Sequence, residues 1–228
     1  ILIQQLGDMT FCSQLLTSSY HTFDIHDTVA HAMETLDMHH AEYAIVLDGL
    51  AYVGMLDMVD LEDADASAEL VALDNYFIKA SVKTNDHFLQ ALRIKSKFNI
   101  DIVPVLNEKN EWEGVIESNR LIDQLSNLVG ATSNGAFIVL EVARQDYAPG
   151  EINRLVESND CMIMHMNTIA DPVTGMLQIV MRVNKEEISD LIATFQRHEY
   201  TVLYYYGEET FDNTLQNNLD HLLNYLNI

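Results

Sequence analysis

Two stretches of the chain read in the same order. The first runs Asp27-Thr28-Val29, then Ala44-Ile45-Val46-Leu47-Asp48, then Gly54-Met55-Leu56-Asp57. The second runs from Asp86 through Val103-Pro104-Val105-Leu106-Asn107 to Gly114-Val115-Ile116-Glu117. The step from Asp27 to Asp86, and from Ala44 to Val103, is the same 59 residues; from Gly54 to Gly114 it is 60, the extra residue falling in the turn Asn107 to Glu113. Val29, Ala32, Met33 and Leu36 keep the spacing of one helix face, and Leu89, Ala91, Leu92 and Phe98 carry the equivalent helix. Asp27 and Asp86 are each suited to N-cap their helix, since a carboxylate accepts from the free amides of a first turn. The runs at Ala44 and Val103 read as buried strands, and the glycine runs as second strands. Val59 to Leu73 and Asn119 to Val129 read as further helices. A unit this small cannot bury its sheet face alone, so the two copies are expected to pack on each other.

The rest of the chain bounds what this repeat serves. In 228 residues, 12 Lys and Arg stand against 35 Asp and Glu, a net charge of −23 at neutral pH. Such a field repels nucleic acid and anionic membranes. Hydrophobic residues make up 48%, enough for a sizeable core and too many for disorder. Cys12 and Cys161 form no disulfide framework. No apolar run reaches eighteen residues and no basic-then-apolar leader opens the sequence, so a cytoplasmic location is expected.

The order D-T-V, a strand with P-V in the second copy, then Gly and two apolar residues before a polar one, resembles the CBS domain. That family occurs as tandem pairs, which often bind adenosine nucleotides between copies. Its ribose- and phosphate-contacting pattern is G-x-x-[ST]-x-x-D. Here the first copy reads Gly54-Met55-Leu56-Asp57-Met58-Val59-Asp60, keeping the last Asp but placing Asp57 where a hydroxyl belongs. The second reads Gly114-Val115-Ile116-Glu117-Ser118-Asn119-Arg120 and loses both. The resemblance implies Asp60 as a ribose contact, with backbone around Ala44, Val46, Val103 and Val105 flanking an adenine. Asp57 beside Asp60 disfavours phosphate by like charge, which a divalent cation or a neutral adenosine-like ligand would relieve. Arg120, with Lys95 and Lys97 near it, tolerates phosphate better in charge. The ligands implied are an adenosine nucleotide or S-adenosylmethionine, and the alternative is a pair serving only structure and dimerisation.

From Gly135 the pattern changes. Phe137 to Val142 alternates as a strand with Ile138, Leu140 and Val142 on one face. A loop Asp146-Tyr147-Ala148-Pro149-Gly150-Glu151 enters a helix carrying Ile152, Leu155 and Val156, with Pro at its start. Strands follow at Cys161 to Thr168 and Met176 to Val183. A helix with Asn184 and Glu187 as a capping-box-like start carries Ile188, Leu191, Ile192 and Phe195, and Tyr200 to Tyr206 is a last strand. The order β-α-β-β-α-β is the ferredoxin-like plan. The D-Y-A-P-G-E loop resembles that of the ACT domain, a family of small-molecule sensors that usually bind amino acids. Gly150 and Ile152 match its pattern, and Asp146 matches with one extra loop residue. A CBS pair followed by an ACT-like domain also resembles the acetoin-utilisation-type regulatory proteins of bacteria.

No other chemistry organises the sequence. His21, His26 and His31 are five apart and do not share a helix face, and no H-E-x-x-H occurs, so no metal site is expected. Asp57, Asp60, Glu62, Asp63 and Asp65 lack a calcium-loop glycine and read as a solvated face. Met162, Met164 and Met166 share a strand face by parity and read as core filler. No nucleophile sits beside a base in a known motif, and no P-loop or G-x-G-x-x-G is present.

The expectation is therefore an α/β chain of five parts: an N-terminal segment 1–16, CBS motifs at 17–73 and 74–130, an ACT-like domain at 135–207, and an amphipathic helix at 208–228. It is expected to be a non-catalytic, homodimeric regulator of a small-molecule effector. A ligand-free interaction module for an unidentified protein partner and an enzyme of unrecognised type are the rivals.

Overall fold

β1 (Thr22–Asp24) and β2 (Tyr43–Asp48) run parallel, joined by helix α1 (Val29–His39), and β2 turns back antiparallel into β3 (Ala51–Asp57) and the short α2 (Met58–Glu62). The second repeat copies this order: β4 (Val82–Lys83), α3 (Phe88–Phe98), β5 (Ile102–Leu106), β6 (Trp112–Glu117) and α4 (Ser118–Val129). A parallel pair needs a crossover, and α1 and α3 supply it. This computed structural model describes residues 10–207, so the amphipathic stretch at 208–228 lies outside the described residues. The fold is mixed α/β, and it divides into one unit of residues 1–125 and another of residues 126–228.

The helix starts differ from the expectation in a consistent way. Thr28 and His87 are the N-caps, their side chains accepting from His31 N and Leu89 N. Asp27 and Asp86 sit one residue earlier, where their carboxylates accept from the amides of Asp24 and Lys83, both at 2.8 Å. Each Asp closes the tight turn between strand and helix rather than capping the helix itself. The run Val59 to Leu73 is likewise not one helix: α2 stops at Glu62, and a 3₁₀ turn, Leu70–Leu73, follows separately.

Between them the repeats exchange segments. Residues 10–17 lie on the second repeat: Cys12 N donates to Asp86 O and Ser13 N to Thr84 O, while Thr17 and Val115 pair through both amides at 2.7 and 3.0 Å. Residues 68–78 lie in the same way on the first repeat. There Leu70 N donates to Asp27 O, Val71 N to Ile25 O, and Met55 and Ile78 exchange amides at 3.1 and 2.9 Å. Tyr52 Oη donates to the carbonyls of Ile78 and Ala80, tightening this crossing. One core joins Tyr43, Ile45 and Met55 of the first repeat to Val103, Val105, Val115 and Leu121 of the second, with Cys12 and Leu15 set into it. The two copies therefore do bury their sheets together. A second core lies under α1, where Val29, Ala32 and Leu36 meet Leu56, Leu61 and Leu70.

In the other unit, β7 (Ala136–Val142), α5 (Pro149–Glu157), β8 (Ile163–Ala170), β9 (Leu177–Val183), α6 (Ser189–Arg197) and β10 (Thr201–Tyr206) form an antiparallel sheet of order β10-β7-β9-β8. This is the ferredoxin-like plan. Ile138 and Leu140 pack with Ile152, Leu155, Val156, Leu191 and Phe195 in one core. Asn184 is not a helix cap: its side chain accepts from Met162 N, and α6 begins at Ser189, whose amide donates to Glu187. The methionines also differ from expectation. The β8–β9 register shifts between Ile163 and His165, so parity breaks; Met162 and Met164 are exposed and only Met166 joins the core.

Candidate functional site

In the first unit the structure sets the expected residues at matching places in the two repeats. Ala44 and Val46 stand opposite Leu56 and Gly54 across the β2–β3 hairpin, and Val103 and Val105 stand opposite Ile116 and Gly114. All four of these side chains are fully buried, so only their backbone is available to a ligand. Asp57 lies at the end of β3, where its carboxylate accepts from Val59 N at 3.0 Å as the N-cap of α2. That bond gives Asp57 a local structural role. Asp60, one helical turn on, is half-buried, and its carboxylate accepts no hydrogen bond among the described residues. Burial raises its pKa from the ordinary carboxylate value, and the neighbouring Asp57 and Asp63 add to the rise. Arg120, at the equivalent place in the second repeat, donates from its guanidinium to the carbonyl of Leu15 at 3.3 Å. It is thereby tied to the exchanged segment, opposite in charge to Asp60 and engaged where Asp60 is not.

Gly54 and Gly114, the pattern's glycines, are explained by packing. A Cβ on Gly54 would stand 3.0 Å from Phe77 Cβ, and one on Gly114 would stand 2.6 Å from Thr17 O. Each marks the place where an exchanged segment crosses a strand.

The second unit holds a cavity of about 360 Å³ at the end of its sheet. The antiparallel pairing of β7 with β10 sets Thr201 opposite Glu141, which brings the end of one strand to the start of the other. Val142 and Ala143 continue the wall, Asp146 and Glu151 enter it from the loop and first turn of α5, and Met176 comes from the approach to β9. His198, Glu199 and Tyr200 close it from the turn after α6. Glu141, Asp146, Glu151 and Glu199 give it four carboxylates. His198 Nδ1 stands 4.0 Å from Glu151 Oε1, and Arg154 reaches the same oxygen at 3.7 Å. Burial raises the pKa of the Tyr200 phenol, with Glu151 adding to it. Among the described residues no group of three or more His, Cys, Asp or Glu is placed to hold a metal ion.

Of the expected residues here, the cavity takes in Asp146 alone. Ile152 is fully buried in the core, and Gly150 is exposed at the start of α5, where a Cβ would meet no atom within 4 Å. Packing does not require that glycine. Glu141, Met176 and the run His198 to Thr201 were not legible as site residues. They come from separate stretches, and the signal for them lies in the β-α-β-β-α-β order, which brings the end of β7 to the start of β10.

No family model and no curated protein matches the chain. Among solved structures it is similar to a CBS domain pair/ACT domain protein from Thermotoga maritima, at 17% identity over 52% of this chain and 98% of that one, with a TM-score of 0.47. It is also similar to the CBS domains of a transcriptional regulator from Streptococcus pneumoniae, at 16% identity over 51% of this chain and 99% of that one, with a TM-score of 0.46. A third likeness is to the cytosolic domain of the Mg²⁺ channel MgtE in complex with ATP, at 21% identity, covering 50% of this chain and 48% of that one, with a TM-score of 0.45. Among the described residues no helix is long and apolar enough to cross a membrane.

Proposed function

We propose that the chain is a non-catalytic regulatory protein that binds a small amino compound, an amino acid among them, in the cavity beside Asp146. The observation that carries this reading is the cavity: its volume falls in the range of roughly 300 to 1,000 Å³ that small ligands occupy. Its four carboxylates favour a cationic amine, while Val142 and Met176 offer apolar wall to a side chain. The chain would work in the cytoplasm as a homodimer, the ligand shifting the population between two arrangements by its differential affinity for them. Its charge argues against nucleic acid and membrane surfaces as partners.

A second reading places an adenosine-type ligand at Asp60. What favours it is a half-buried carboxylate whose hydrogen-bonding capacity is unused among the described residues, as a ribose contact requires. The rival to both is a ligand-free pair holding a dimer together.

A thermal-melt panel of the twenty amino acids, adenosine, AMP, ADP, ATP and S-adenosylmethionine, with and without magnesium, separates these readings. A ligand at a hundred times its Kd stabilises by about 2.7 kcal/mol, a shift of roughly 5–10 °C for a chain of this size. A shift with amino acids that Asp146→Asn abolishes supports the cavity. A shift with an adenosine compound that Asp60→Ala abolishes moves the site to the first unit. No shift in any well leaves the ligand-free pair. Sedimentation of the full chain tests the dimer, and a single species of monomer mass overturns it.

A further inference from the structure

Arg182 is a buried cation to which the site gives no role. It lies on β9, only 4% exposed, opposite Phe137 on β7 and His165 on β8. Among the described residues no carboxylate pairs with it, in a protein with 35 Asp and Glu. One guanidinium nitrogen donates to Asn134 O, and Nε is buried without a partner. A buried charge this poorly paired is costly unless something else answers it.

The segment joining α4 to β7 supplies that answer. α4 ends in a Schellman-type turn: Gly130 N donates to Asn127 O at 3.0 Å, and Ala131 N to Ser126 O at 2.8 Å. Gly130 takes the left-handed conformation, φ 66°, that such a turn requires. The guanidinium lies close against this glycine, so that a Cβ there would stand 2.7 Å from Nη1 and 3.1 Å from Cζ. A Cβ on Gly135 would in turn stand 3.4 Å from Nη2. The segment therefore wraps the guanidinium at three points, and the cation sits at the end of a twelve-residue helix, where the macrodipole is negative.

We infer that Arg182 is the positioning residue that fixes the last turn of α4 and the following segment to the four-stranded sheet, acting through Gly130 and the carbonyl of Asn134. The same helix is held at its start by Ser118, whose amide and hydroxyl both donate to Asp101 O.

Hydrogen–deuterium exchange on the full chain tests this. In Arg182→Met, which keeps bulk but removes the charge and the donors, the amides of Gly130 and Ala131 should exchange at least tenfold faster. The β7–β9 amides at Val139 and Val180 should keep their rates. Arg182→Lys, with the charge but no planar fork, should fall between. Gly130→Ala, which leaves Arg182 intact but displaces its guanidinium, should reproduce the loss and serves where Arg182→Met does not fold. Unchanged exchange at Gly130 and Ala131 in these variants overturns the inference. So does an equal acceleration across the whole sheet, which would make Arg182 a component of the core and nothing more.

Discussion

The α-carbon of Gly114 faces the carbonyl oxygen of Thr17 so closely that a Cβ would stand 2.6 Å from it. The two residues belong to different repeats in sequence and to one sheet in space, since Thr17 and Val115 pair through both amides. Backbone cannot retreat as a flexible side chain can, so Gly114→Ala should cost about 1–3 kcal/mol through forced backbone movement. Gly54→Ala meets the side chain of Phe77 at 3.0 Å and should cost less. Urea unfolding of both variants checks the ranking, and equal or reversed costs would contradict it.

Leu15 is 6% exposed within the exchanged segment and packs with Cys12 and Val115. If that segment is structural, Leu15→Ala should destabilise by roughly 2–4 kcal/mol, the cost of a core truncation. A loss below about 0.5 kcal/mol, typical of a surface site, would make residues 10–17 a mere appendage. Chemical denaturation measures it directly.

His26 Nδ1 lies 2.9 Å from Glu69 Oε2, linking the turn after β1 to the crossing segment. The hydrogen bond and charge of Glu69 raise the histidine's pKa from its ordinary 6.5, with Asp24 and Asp48 adding to the rise. A pKa raised on folding gives stability that is full below 6.5 and lost as pH rises through the folded value. The pair is exposed, so the effect is small. The melting temperature of the wild type should exceed that of Glu69→Gln at pH 5.5 and match it by pH 8.5. An advantage that grew with pH would contradict the assignment.

Both cysteines are buried, and burial pushes the Cys12 thiol up to about 11 and raises that of Cys161. A thiol reagent at pH 8 should therefore titrate neither in the native protein and both in denaturant, since the thiolate is the reactive form. Rapid native labelling of either would show its surroundings to be open.

The repeat was legible because strand, turn and helix signals are local and recur at a fixed step. Its boundaries were less so. Asp27 and Asp86 carry the right chemistry for a cap, but Thr28 and His87, one residue on, take the position, and only the geometry of the preceding turn decides between them. The methionines of β8 failed for a similar reason. Alternation along a strand assumes unbroken register, and the bulge before His165 puts Met166 on the core face while Met162 and Met164 stay exposed. The exchange of segments leaves no periodicity at all, because it joins residues at unequal separations, from 23 positions for Met55 and Ile78 to 98 for Thr17 and Val115. Gly54 and Gly114 mark the two crossings in space, but in the sequence they stand only as second-strand residues and as the first position of the family's pattern. The cavity was legible in Asp146 and missed in Glu141 and His198 to Thr201, which only the sheet order assembles.

The exchange also imposes an order on synthesis. When the ribosome has made the first repeat and residues 68–78, that half can close its own outer core. Cys12 and Leu15 have nowhere to go until Val103, Val115 and Leu121 have emerged. Cys12 and Leu15 thus wait for partners as far along the chain as Val115 and Leu121. For that interval the nascent chain carries an apolar segment that must wait, exposed to chaperones or to the matching segment of a neighbouring chain on the same messenger.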